Sequence, residues 1–469
     1  RNIYLSSTQT ANLTTDLKET YFCKKTNPSS AELADTNICR RNGKDTPNPF
    51  NYTTEGYPKN EYFNAVTGVS NPHYYNMIAT DFCDVTGKTC TSTSATGTSI
   101  PFPVRWCATA ADAISTTVPT GTTTVSGTTL AKCQEKRDSK HTYVRLGKLQ
   151  RVDIDTASAE AGNYANWYTY YRDRLTAMKT ATGLAFKDVN SGRRIGFTTI
   201  NPTVNNITNH SSKFLAIKDF DNVQKEAFFT KLYAQKTNGS TPLREALSRI
   251  GRYYAGKTDG INANMISTAD PDPVQYSCQQ NFTIMSTDGY WNGNSGVNLS
   301  GTEIKNSEDA TDSGYSARTA GAYDGGLVDS KDNSGNLADV AMYYYKTDLR
   351  TTGTLAENNV PISAIDKNQA QHMVTYAISL GLSGYLNYTK EYYKGTNADL
   401  ESIKKGTTGA CSWTTGKCNW PLASKRTDDA TKLDDLWHAT VNGRGRFFNA
   451  QNSEDIITGL NESLNASLM

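Results

Sequence analysis

Apolar positions recur at helical spacing most clearly over residues 163–182, NYANWYTYYRDRLTAMKTAT. Tyr164, Trp167, Tyr168, Tyr171, Leu175 and Met178 fall three or four apart and make one stripe. That pattern predicts one helix, stopped by Gly183. The run RIGFTTI at 194–200 predicts a buried strand closed by Asn201-Pro202. A helix is expected over 221–234, with Phe228, Phe229, Leu232 and Tyr233 on its apolar side. Another opens at Ser240-Thr241-Pro242-Leu243 and continues to Tyr254, with Thr241 as N-cap and Pro242 in the first turn. NFTIMS at 281–286 reads as a strand running straight into Thr287-Asp288-Gly289. Residues 292–337 are rich in Gly, Asn, Ser and Asp and read as a loop insertion. A helix over 337–348, a core strand over 371–382, and helices over 434–442 and 453–468 complete the pattern.

Strand and helix thus alternate from about residue 160. Such alternation predicts an α/β fold with a mainly parallel sheet, because parallel neighbours need crossover helices. Ligands of such sheets gather at the carboxyl ends of the strands, where Asp288 lies and which the Thr241 helix can approach. Residues 1–140 follow no such rhythm. They are dense in Asn, Thr, Ser and Pro and read as an irregular, cysteine-rich region, with an exposed hairpin or flexible loop at 115–129. The expected organisation is therefore 1–140 irregular and 141–469 α/β.

Nine cysteines decide the compartment. Cys23 and Cys39, Cys83 and Cys90, Cys107 and Cys133, and Cys411 and Cys418 lie close in sequence and read as disulfide hairpins in an oxidising compartment, although sequence does not fix the pairing. Cys278 is left over, as a buried thiol or as the partner of a residue outside the chain. No C-x-x-C knuckle suggests zinc. The net charge of +2 offers no basic stripe for nucleic acid. No apolar run reaches the length of a membrane span, and the chain opens on Arg1, which reads as a mature or trimmed start.

Several segments resemble known sequences. NFTIMSTDGYWNG (281–293) resembles the fourth strand of von Willebrand factor A domains, and GSTPLREAL (239–247) resembles their threonine loop. PVRWC (103–107), NYANWYTYYRDRL (163–175), RRIGFTTIN (193–201), DVAMYYYKTDLR (339–350) and DDLWHATVNGRGRFF (434–448) resemble PilY/PilC-type adhesins of type IV pili, in the expected order. The resemblance implies a von Willebrand A-type central sheet flanked by helices, with long disulfide-containing insertions. It implies a secreted bacterial protein at the pilus tip, seated on minor pilins and touching host cells or abiotic surfaces. It further implies a signal peptide upstream and a β-propeller downstream.

The same resemblance implies a divalent cation, Mg²⁺ or Ca²⁺, held by oxygen ligands. Thr241 matches the family's metal-binding threonine and Asp288 its distant aspartate. The D-x-S-x-S element has no match, since the 153–158 stretch has the wrong spacing, and it is expected ahead of Arg1. Each matched residue also has a plain structural reading, Thr241 as an N-cap and Asp288-Gly289 as a turn. Asp329, Asp332, Asn333, Asn336 and Asp339 form an acidic loop that departs from EF-hand spacing. His73, His141, His210, His372 and His438 show no ligand spacing, and His372 and His438 are expected to be hydrogen-bonded core residues. Trp291, Trp413 and Trp420 are either binding anchors or the cores of their own loops. Sequons such as Asn206, Asn238 and Asn281 arise easily in so Asn/Thr-rich a chain, and Asn281 falls in a core strand, which argues against glycosylation there. No nucleophile elbow or phosphate loop occurs. A non-enzymatic adhesin and pilus-assembly factor is therefore the leading expectation. A secreted hydrolase with its catalytic domain elsewhere, and a generic extracellular matrix-binding A-domain protein, are the alternatives.

Overall fold

The computed structural model describes residues 19–23, 25, 27–35, 37–41, 63–67, 72–84, 99–115, 117–135, 140–201, 213–237, 239–266, 269–305, 335–413, 416, 418–421, 423 and 430–466. The chain divides into two compact units, Leu5–Thr169 and Tyr170–Met469.

The first unit is built from strands. β1 (Glu19–Cys23) pairs antiparallel with β2 (Cys39–Arg41) and with β3 (Phe63–Thr67), with the short helix α1 (Ser30–Ala34) between β1 and β2. The Cys23–Cys39 disulfide joins residues that are direct partners in that ladder. β4 (His73–Asp84), β5 (Ser99–Cys107), β8 (Cys133–Gln134) and β9 (Tyr143–Asp153) form a four-stranded sheet in the order β4-β9-β5-β8. β6 (Thr122–Val125) and β7 (Thr128–Ala131) make a separate hairpin. Cys107–Cys133 ties β5 to β8, and the guanidinium groups of Arg105 and Arg145 bind backbone carbonyls at the end of α2 (Ala110–Ile114). The unit closes with α3 (Ala159–Tyr171), inside which the division falls.

The irregular region expected over 1–140 thus contains eight strands among the described residues. Pro101 and Pro103 hid β5, because proline cannot donate to a ladder. β5 pairs with β9 along its length but with β8 only at Trp106 and Cys107, so among the described residues its proline stretch borders a side without a ladder. β9 belongs to this sheet, so the units divide well beyond residue 140.

The second unit is an α/β assembly. α4 (Arg174–Phe186) precedes the antiparallel pair β10 (Arg194–Thr198) and β11 (Phe214–Asp219), then α5 (Asn222–Ala234) and α6 (Leu243–Tyr254). β12 (Asn281–Thr287), β13 (Met373–Leu380) and β14 (Arg444–Ala450) form a parallel sheet with β13 in the middle. The connections carry α7 (Leu337–Lys346), then α8 (Ala398–Lys405) and α9 (Thr431–Asn442), and α10 (Ser453–Ala466) ends the unit.

Alternation along β13 sorts the core into two faces. Met373 and Ala377 pack with Leu243 and Leu247 of α6, Val340 and Tyr344 of α7, and Leu436 and Trp437 of α9. Val374, Tyr376, Ile378 and Leu380 pack on the other side with Phe186 of α4, Phe228 of α5 and Ile456 and Leu460 of α10. Every residue of β13 is buried, as expected of a central parallel strand covered on both faces. The sheet therefore lies between two helical layers.

Local differences from the sequence reading have physical causes. The helix expected over 163–182 is two helices, because the Asp173 carboxylate accepts the Thr176 N–H and the Thr176 hydroxyl returns to the Asp173 amide. Gly183 is buried within α4 and stops nothing. Trp167, expected on the apolar stripe, is exposed. The N-cap position of α6 is Pro242, so the Thr241 side chain does not cap it. Asn336 and Asp339 form a buried capping box at the start of α7. Asp329, Asp332, Asn333, Asn206, Asn238 and the Cys83–Cys90 pairing lie outside the described residues. Cys411–Cys418 is a disulfide, and Cys278 is an exposed thiol rather than a buried one.

Candidate functional site

The carboxyl ends of β12 and β13 meet a loop that starts at Asp288. Gly289 has φ +138°, and a Cβ there would stand 2.8 Å from Leu382 Cδ1 and 3.1 Å from Leu433 Cδ2. Only glycine fits that turn between two strand ends. Trp291, two residues on, is completely buried. Its indole N–H donates to Asp435 Oδ2 at 2.8 Å. The Arg244 guanidinium lies 4.4 Å from its ring centroid and the Lys432 ammonium 4.9 Å.

Asp435 carries more than the indole. Its Oδ2 also accepts the Leu337 N–H at 3.0 Å, and its Oδ1 the Ala338 N–H at 3.2 Å. A carboxylate from α9 thereby satisfies two free donors at the start of α7. Burial lifts Asp435 above the ordinary carboxylate range, opposed by nearby His438, the two backbone amides and the indole. The neighbouring Asp434 faces another way. Its oxygens accept the Tyr385 N–H at 2.8 Å and the Leu386 N–H at 3.1 Å, holding the loop after β13. Gly384 must stay bare there, because a Cβ would sit 1.9 Å from Asp434 Oδ1.

The threonine loop is clasped to the same region. Thr241 N–H donates to Asn292 Oδ1 at 2.8 Å, and Asn292 N–H donates to the Thr241 carbonyl at 2.9 Å. Arg244, in the first turn of α6, donates to the carbonyls of Gly293 (2.9 Å) and Gly335 (3.0 Å). The Thr241 loop thus lies against Asn292, four residues beyond Asp288.

Their side chains do not make a cation site by themselves. Asp288 is 59% exposed and its Oδ2 pairs with Arg174 Nη1 at 3.0 Å. One hydroxyl and one carboxylate supply two oxygen ligands, where Mg²⁺ or Ca²⁺ takes six or more including waters. Among the described residues no group of three or more His, Cys, Asp or Glu side chains gathers in metal-binding geometry.

Several other described candidates are engaged within the fold. His372 sits between the Ala370 carbonyl (2.7 Å) and Asp366 Oδ2 (2.9 Å), and His438 stacks on Trp420 at 4.5 Å. Trp413 donates to the Asn419 carbonyl at 2.8 Å, so these loops fold around their tryptophans. Asn281 is buried and donates to Gln371 Oε1 and the His372 carbonyl. The residues that hold the candidate edge together, Arg244, Lys432, Asp434 and Asp435, were not singled out from sequence. The signal was present in Asp434-Asp435. Consecutive acids on a helix with core residues on both sides point in different directions and so serve different partners.

Comparison with known proteins gives one consistent result. The chain is 30% identical over 326 residues to the type IV pilus biogenesis factor PilY1 of Pseudomonas aeruginosa PAO1, covering 65% of this chain and 26% of that protein. It is likewise 30% identical over 334 residues to PilY1 of strain PAK, and over 325 residues to PilY1 of strain UCBPP-PA14. The chain spans about a quarter of the length of these curated relatives. No family model matches the chain. No solved structure matches it either.

Proposed function

We propose that this chain, a PilY1-type protein by its similarity to the three pilus biogenesis factors, takes part in type IV pilus assembly as a binding protein at the cell surface. The observation that carries this reading is the 30% identity over about two thirds of the chain to proteins that all bear that name. The second unit supports an A-domain-like reading. Its parallel strands lie between helical layers, and the Thr241 and Asp288 segments are joined at the strand ends. Disulfides in both units support residence in an oxidising compartment such as the periplasm or the cell exterior.

Action by binding rather than catalysis is the reading the acids support. Asp434 and Asp435 are each engaged by backbone amides, and Asp339 closes a helix cap. The partners we propose are minor pilins together with a host-cell or abiotic surface. The exposed loops at the carboxyl end of β12 are the contact region. Deleting the encoding gene is expected to reduce surface pili and twitching motility, and reintroducing it to restore both. Unchanged piliation and motility in the deletion strain would overturn the proposal.

A further inference from the structure

The β6–β7 hairpin has a property the pilus reading does not use. Ser126 and Gly127 join its strands with φ +48° and +77°, the two consecutive positive values of a type I′ turn. In a two-residue hairpin the positions flanking the turn exchange backbone hydrogen bonds with each other, and alternate pairs do the same. The register Val125↔Thr128, Thr123↔Leu130 therefore uses the amides of those four residues internally. Thr122 and Thr124 on β6, and Thr129 and Ala131 on β7, turn their backbone groups outward. The 3.2 Å approach of the Thr124 and Thr129 hydroxyls fits such a non-bonded pair. On β7 the Ala131 carbonyl is already bound by His141 Nε2 at 2.8 Å. On β6, among the described residues, no hydrogen bond engages the outward groups of Thr122 and Thr124.

Exposed edges are normally guarded by charge or proline against pairing with another strand. Here no residue between Asp112 and Lys132 is charged, and the one proline, Pro119, precedes β6. Thr122 and Thr124 are exposed, and the hairpin base is fixed by the Cys107–Cys133 disulfide and by Lys132 N–H bonding to the Gly121 carbonyl. An isolated two-stranded ribbon is marginal in water, so added strands stabilise it.

We propose that β6 is a self-association edge, pairing antiparallel with β6 of a second copy of this chain. A two-fold axis through Thr123 brings Thr122 of one copy opposite Thr124 of the other. Those are the residues with outward amides, and the pairing forms a four-stranded sheet. A second copy fits because identical edges here bring threonine against threonine, which is favourable, with no like charges to oppose it. The edge is short, far below the ~1,600 Å² of a typical stable interface, so association is concentration-dependent.

The test uses the whole chain with Cys278→Ser, which removes the exposed thiol. Sedimentation velocity over rising concentration should show a monomer–dimer equilibrium. Thr122→Lys/Thr124→Lys should weaken it by roughly tenfold or more, equivalent to about 1.4 kcal/mol, with an unchanged circular dichroism spectrum. Thr123→Cys should give a disulfide-linked dimer under oxidation, and Thr129→Cys should not. A chain that stays monomeric, an equilibrium indifferent to the lysines, or cross-linking through Thr129→Cys instead would each overturn the proposal.

Discussion

Asp435 shows how one side chain can hold a region together. Replacing it with alanine leaves the indole N–H of Trp291 and the amides of Leu337 and Ala338 without their acceptor in a fully buried site. Leaving buried donors unsatisfied costs about 1–3 kcal/mol for each group, so Asp435→Ala should lower the urea midpoint strongly. The pH dependence has a definite sign. Burial raises Asp435 in the folded chain, so its contribution is complete below the ordinary carboxylate range and is lost as pH rises through the raised value. Urea unfolding of Asp435→Asn and the parent from acid to neutral pH should show that slope in the parent alone; equal slopes would contradict the assignment. Arg174–Asp288 makes the contrast, since both side chains are more than half exposed. Arg174→Ala should change stability by no more than about 1 kcal/mol. Calorimetric titration of Mg²⁺ or Ca²⁺ into the chain should give at most weak binding, and Asp288→Ala should not alter it. Tight binding abolished by that substitution would return Asp288 to a metal role.

At the scale of elements, close approach decides which substitutions the fold accepts. Gly251 lies within α6, where alanine would ordinarily gain up to about 1 kcal/mol in helix propensity. Its Cβ would stand 2.1 Å from the ring of Tyr344, which is fully buried in α7. The clash outweighs the propensity, and Gly251→Ala should destabilise by about 1–3 kcal/mol. A gain in thermal midpoint would show that the α6–α7 contact is looser than described. The end of α6 also links the strands. Tyr253 Oη accepts the Ile217 N–H of β11 at 3.0 Å, while Tyr254 Oη donates to the Phe282 carbonyl of β12 at 2.9 Å. Burial pushes the Tyr253 hydroxyl up to about 12, so it stays neutral near physiological pH and keeps that contact.

For the molecule as a whole, the two units rest on different physics. The parallel sheet of the second is buried between two apolar clusters, whereas the first is made of small antiparallel sheets, two of them stapled internally by Cys23–Cys39 and Cys107–Cys133. Replacing Cys107 and Cys133 with serine should destabilise the first unit by about 2–4 kcal/mol. Amide exchange should then rise in β5, β8 and the β6–β7 hairpin but not in β13, and uniform change would contradict the division. The amino-acid sequence by itself determined much of the second unit's rhythm of elements, because strand and helix impose their own periods on apolar residues, although β11, α8 and β14 were not legible in it. It also set cysteines close enough in the chain to pair, and marked the Thr241 and Asp288 segments through their likeness to known ones. Tertiary structure alone decided the rest. Asp173 broke a continuous apolar stripe into two helices through a cap formed by its own turn. Prolines in β5 were accommodated where, among the described residues, only β9 pairs alongside. Asp434 and Asp435 became clasps because their partners are backbone amides about fifty and one hundred residues away, and no local pattern records a backbone donor at that distance.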